Sequence, residues 1–170
     1  MKLRTSRAGR KPRRQARSSG CHLRNFQKRV PLGLQPLRVF IHQLYTRLRL
    51  RRRWFEVALV DDAEIKKVNR EFRGVSKATD VLSFGWQQGP EEKPGLPAVP
   101  ARFAGFLGVI VISAETARRN ASREEHSLRV EVQQLILHGA LHLLGYDHET
   151  DDGEMEALEL SLRAKLGISG

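Results

Sequence analysis

The sequence predicts an α+β fold: a single domain with a small mixed sheet and helices packed on it, in which a histidine-bearing helix is followed by a glycine turn. Three observations carry this. The run Leu107 to Ile112 (LGVIVI) is apolar on both alternating faces, as expected of a strand buried inside a sheet. Helical and strand patterns interleave along the chain without a regular βαβ repeat. Finally, His138 and His142 fall on a strongly helical pattern that stops at Gly145, just before His148.

Taken in order, Leu23 to Val30 alternates loosely and predicts a first strand. Pro36 can open a helix, because proline is tolerated in the first turn, and Leu37, Phe40, Ile41, Leu44 and Leu48 then recur at helical spacing to give one apolar face. Phe55 to Val60 (FEVALV) predicts a second strand. Asp61 follows as an N-cap with Glu64 three residues on, which is the spacing of a capping box, so a helix is expected over Asp62 to Phe72 with Gly74 ending it. Val81 to Phe84 is a short strand candidate. Gln87 to Gly105 holds four of the seven prolines and should be a long loop. Leu107 to Ile112 should be the central strand. Ser113 can cap a helix over Ala114 to Ala121, a longer helix is expected from Ser127 to Leu144, and Gly153 to Leu166 closes the chain as a helix ended by Gly167.

A chain of 170 residues, 40% of them hydrophobic, suffices for one domain with a real core. The net charge of +11 suggests a polyanion partner until its distribution is counted. Residues 1 to 53 carry 17 Lys and Arg and no acid, whereas residues 54 to 170 carry 13 basic and 19 acidic residues; a +17 arm is joined to a −6 body. Residues 1 to 20 therefore predict a basic, disordered extension, and residues 21 to 170 the domain. The same Arg-rich, acid-free stretch has the composition of an organellar transit peptide, so a cytoplasmic location is expected with an organellar one as the alternative. Cys21 is the lone cysteine, which excludes an internal disulfide. The longest apolar run, Phe106 to Ile112 interrupted by Gly108, is far short of the ~20 residues that cross a bilayer, so no membrane partner is expected.

The chemistry concentrates between His138 and His148. Histidines four residues apart on a helix project from one face, one turn apart, and can share one ion. Gly145 lets the chain turn so that His148 can fold back as a third ligand. Three neutral imidazoles with a vacant fourth position describe a catalytic zinc site, one Zn²⁺ per chain, because structural zinc sites are usually closed by four protein ligands. A histidine alone on an apolar face is more often a hydrogen-bonded core residue. His22, His42 and His126, lacking such company, are read as surface or packing residues. The spacing also matches the zinc-peptidase pattern H-E-x-x-H-x-x-G-x-x-H, except that Gly139 stands where that mechanism needs its glutamate. Asp147, Glu149, Asp151 and Asp152 lie near in sequence, where turn or helix-cap roles are more ordinary than that of a base.

These residues, together with Asn69-Arg-Glu-Phe-Arg73-Gly, Thr79-Asp-Val-Leu-Ser-Phe84 and Leu107-Gly-Val-Ile-Val-Ile-Ser113, resemble the YbeY family of rRNA-maturation endoribonucleases. The resemblance runs from about Leu23 to the C-terminus and is most specific from His138 to His148. It implies a single-strand-specific, metal-dependent endoribonuclease that acts on ribosomal RNA, notably the 3′ end of the small-subunit rRNA, and in ribosome quality control. It implies single-stranded RNA as substrate, a ribosomal particle or ribosomal proteins as partners, zinc on His138, His142 and His148, and Arg73 as the arginine facing the metal cleft. A guanidinium there suits phosphoryl transfer, where negative charge gathers on non-bridging oxygens. Without the resemblance Arg73 would be read as a solvated helix-end arginine offsetting the helix dipole. Two positions depart from the family pattern: Ala78 where a proline is usual, and Val109 where an aspartate is usual.

Two competing readings remain at this stage. A zinc metallopeptidase of the H-x3-H-x5-H type is favoured by histidine spacing and disfavoured by Gly139. A non-catalytic ribosome-associated module, in which the metal only secures the C-terminal helix, would keep its metal but cleave nothing.

Overall fold

A computed structural model describes residues 22–86, 103–146 and 152–168. The expected extension over residues 1 to 20, most of the proline-rich loop and His148 lie outside these residues. The elements run β1 (His22–Asn25), α1 (Leu34–Arg47), β2 (Trp54–Val60), α2 (Asp62–Arg73), β3 (Val81–Gly85), β4 (Phe106–Ser113), α3 (Ala114–Arg123), α4 (Leu128–Leu143) and α5 (Glu154–Leu166).

The sheet has the order β1-β2-β4-β3. β1, β2 and β4 are parallel, and β3 returns antiparallel along β4, so the sheet is mixed as the sequence predicts. The fully apolar strand is an inner one, with β2 on one side and β3 on the other. Its residues alternate between two cores. Ile110 and Ile112 join Phe55, Val57 and Leu59 beneath α1, α4 and α5, whereas Val111 joins Val60 and Leu82 beneath Ile65 of α2. The sheet thus separates α4 from α2.

Most caps form where the sequence places them. Asp61 accepts a hydrogen bond from the Glu64 N–H at 2.9 Å, Ser113 from Thr116 at 3.2 Å, and Ser127 from Val130 at 3.2 Å. Two expectations shift. β1 stops at Asn25 rather than Val30, because the Gln27 side chain folds onto the backbone of Val30, accepting from its N–H at 2.9 Å and donating to its carbonyl at 3.0 Å. These bonds satisfy the turn locally instead of through the sheet. α1 starts at Leu34, two residues before Pro36, whose missing N–H costs nothing in a first turn.

The N-termini of α2 and α3 are tied together. Asp62 Oδ1 accepts from the hydroxyls of Ser113 at 2.5 Å and Thr116 at 2.7 Å, Arg119 lies 2.8 Å from Asp62 Oδ2, and Glu115 accepts from the Asp62 N–H at 2.8 Å. Burial pushes the Asp62 carboxyl up, but its hydrogen bonds to Ser113, Thr116 and Arg119 outweigh that and hold it below its ordinary value.

Candidate metal centre

Helix α4 is buried over most of its circumference by Val132, Leu135, Ile136, Leu137, Ala140 and Leu141. Its remaining strip carries His138 and His142, whose spacing of four puts them on one face. Their Nε2 atoms stand 3.0 Å apart, with ring centroids at 4.6 Å and the rings at 80°.

The opposite edge of each ring meets an acceptor. His138 Nδ1 lies 3.1 Å from Glu159 Oε2 on α5, and His142 Nδ1 lies 3.0 Å from the Tyr146 carbonyl oxygen in the turn that Gly145 makes. Gly145 has φ +94°, a conformation that side chains oppose, and it brings the Tyr146 carbonyl back onto the helix. Arg163 in turn holds Glu159 Oε1 at 2.5 Å. Burial raises the Glu159 carboxyl, but the hydrogen bonds from His138 and Arg163 more than offset it, so Glu159 sits below the usual carboxylate range and is ionised.

These contacts assign the tautomers. Both Nδ1 atoms face oxygens that only accept, so both carry the ring proton when the imidazoles are neutral, leaving two Nε2 lone pairs aimed at each other. A cation between them relieves that opposition. Two imidazoles about 2.1 Å from one tetrahedral zinc place their nitrogens roughly 3.4 Å apart, close to the separation found here. Carboxylate and carbonyl partners on the distal nitrogens are also what metal-ligating histidines ordinarily have. The donor set fits a divalent metal. Among the described residues no third acid, histidine or cysteine completes the group; His148, Asp147, Glu149 and Asp151 lie outside them, and Asp152 is exposed ahead of α5.

Gly139 has a packing reason. A Cβ there would stand 2.7 Å from Ile110 Cγ2 on β4 and 2.9 Å from Ser83 Oγ on β3. α4 therefore lies against the sheet at this residue, with no room for the glutamate of a zinc peptidase.

A cleft of about 580 Å³ opens beside His138, with walls from the start of β3, α3, α4 and α5. Arg73 is not among its lining residues. It is the exposed last residue of α2, and its neighbour Phe72 rests against Phe84 of β3. The cleft instead contains residues that spacing did not single out: Glu159, Glu131 and His126. His126 is the packing residue expected, its side chain 8% exposed and its Nε2 3.2 Å from Glu131 Oε2. A signal was present. Glu159 falls on the apolar stripe of its helix between Met155 and Leu162, and Glu131 is buried beside Val132, positions where a charge costs free energy without a partner.

The model of the family described as Endoribonuclease YbeY matches residues 27–167. This chain belongs to the YbeY family. It is 50% identical to Endoribonuclease YbeY of Nautilia profundicola over 113 residues, covering 66% of this chain and 72% of that one. It is 43% identical to the YbeY protein of Solibacter usitatus, covering 67% of each chain, and 44% identical to that of Rhizobium meliloti, covering 67% and 66%. The solution structure of TM1509 from Thermotoga maritima shares the fold, with a TM-score of 0.58 at 24% identity over 86% of this chain and 88% of that one. The YbeY match spans every described element from α1 to α5, including the facing histidines. No described helix is long and apolar enough to cross a membrane.

Proposed function

We propose that this protein is a zinc-dependent endoribonuclease that cuts single-stranded RNA, with one Zn²⁺ per chain on His138, His142 and His148. In this reading it works in the cytoplasm on the 3′ end of small-subunit rRNA and in ribosome quality control, docked on a ribosomal particle or its proteins. The observation that carries the reading is the pair of Nε2 atoms at 3.0 Å, each ring turned by an acceptor on its far nitrogen, in a chain of an endoribonuclease family.

When bound, the ion supplies Lewis acidity toward a phosphate oxygen and activates water. The chain's own residues do the rest. Glu159 fixes the plane of His138 and is itself held by Arg163, while the Tyr146 carbonyl fixes His142. The cleft admits a strand segment of the size small-molecule sites accept. Arg73, exposed at the end of α2, is assigned to the negative charge that gathers on the phosphate oxygens during cleavage.

The test is metal content by mass spectrometry on wild type and His142→Ala, paired with cleavage of a single-stranded RNA. About one zinc per chain, lost together with cleavage in the variant, supports the proposal. Full metal and full cleavage without His142 would refute it. The metallopeptidase reading keeps only the histidine spacing, and Gly139 packed on Ile110 leaves no room for its glutamate.

A further inference from the structure

The cleft continues past His138 along α4. Glu131, Gln134, His138 and His142 follow at spacings of three and four, so they share one side of the helix. Gln134 sits one turn from His138, and Glu131 sits seven residues away, about 10 Å along the axis. The facing wall holds Asp80, ahead of β3, and Asn120 of α3.

This end is a built polar site. Asn120 Nδ2 donates to Asp80 Oδ2 at 3.2 Å. Asp80 Oδ1 accepts from the Thr79 hydroxyl at 3.1 Å and from the Val81 N–H at 2.8 Å. Glu131 and His126 form a pair more than nine-tenths buried. His126 Nδ1 faces the Ser127 carbonyl at 3.3 Å, and its Nε2 faces Glu131 Oε2 at 3.2 Å. Burial pushes the Glu131 carboxyl up. In contrast, the Gln134 amide lines the cleft half-buried and makes no hydrogen bond with the described residues.

The His126–Glu131 pair is buried, and a buried polar pair costs desolvation that the metal centre alone does not require. The acceptors at this end of the cleft repel phosphate and attract N–H donors. We propose that this part of the cleft is a nucleobase subsite, in which Gln134 and Asp80 read the base next to the scissile phosphate and select one with an exocyclic amino group over uracil.

The inference rests on the RNA reading above and names the part of the substrate the cleft holds. The proposed register puts a phosphate at the histidines and the base of the same nucleotide about one helical turn along α4, at Gln134. A glutamine amide pairs with adenine through N6 and N7, donating to the ring nitrogen and accepting from the amine, and cytosine offers N3 and N4 in the same relation. The second amine hydrogen is left for a carboxylate. Uracil places a carbonyl oxygen where that amine would be, so it faces Asp80 without a proton between them.

The test is NMR titration of the full-length chain with AMP, CMP and UMP, in wild type, Gln134→Ala and Asp80→Asn, alongside cleavage of single-stranded RNAs that differ only at the nucleotide next to the cut. Wild type should bind AMP and CMP about tenfold more tightly than UMP. The preference should shrink to within about twofold in Gln134→Ala, with circular dichroism and metal content unchanged. Equal binding of the three nucleotides by wild type, or a preference that survives Gln134→Ala, overturns the subsite. A base preference in binding with no cleavage of any RNA upholds the subsite and overturns the nuclease reading.

Discussion

Glu159 on the last helix meets His138 on α4 at 3.1 Å, so a residue twenty-one positions downstream sets the orientation of the first proposed ligand. Removing such an outer partner typically lowers metal affinity about 10- to 100-fold. Glu159→Ala should therefore bind zinc about 10-fold or more weakly in competition with a chelating dye, while Glu159→Gln, which keeps an acceptor, should lose less. Wild-type affinity in Glu159→Ala would show that α5 does not position His138.

Gly139 is predicted to tolerate no side chain. Gly139→Ala gains helix propensity of about 1 kcal/mol, but the Cβ must displace Ile110 or Ser83, and overpacking of this kind costs about 1–3 kcal/mol. A lower urea midpoint with an unchanged m-value is the expected result. A higher midpoint would mean that α4 sits farther from the sheet than described.

Metal removal should abolish cleavage and spare the fold. α4 is held by Val132, Ile136, Leu137 and Leu141, all fully buried in the main core, so its place does not depend on an ion. After chelation, far-ultraviolet circular dichroism should be unchanged and RNA cleavage absent. Unfolding on chelation would make the centre structural instead.

The Asp62 cluster carries a pH signature. Because hydrogen bonds hold the folded carboxyl below its ordinary value of about 4, its stabilisation is present above that pH and is lost as pH falls through the lower folded value. Asp62→Ala should cost about 1–2 kcal/mol at neutral pH and flatten the decline of stability below about pH 4. Urea titrations across that range would reveal it, and parallel curves for the two proteins would rule the effect out.

Arg73→Ala should bind zinc normally and lose affinity for single-stranded RNA several-fold, with a smaller dependence on salt, as expected when one phosphate contact is removed. Cleavage and salt dependence identical to wild type would remove Arg73 from the proposal.

Much of this protein can be read along the chain. The caps at Asp61, Ser113 and Ser127 and the glycine turn at Gly145 depend on contacts within a few residues, and the apolar run of β4 shows its burial through its own pattern, so periodicity and turn chemistry determine them. The same holds for the pairing of His138 with His142, since a spacing of four on a helix leaves no other relation. Tertiary structure alone decided what surrounds them. Glu159 reaches His138 only because α5 folds back along α4, and Asp80, Asn120 and Glu131 meet only because β3, α3 and α4 converge on one cleft. Such relations join residues far apart in sequence through the packing of whole elements, which a local pattern does not encode.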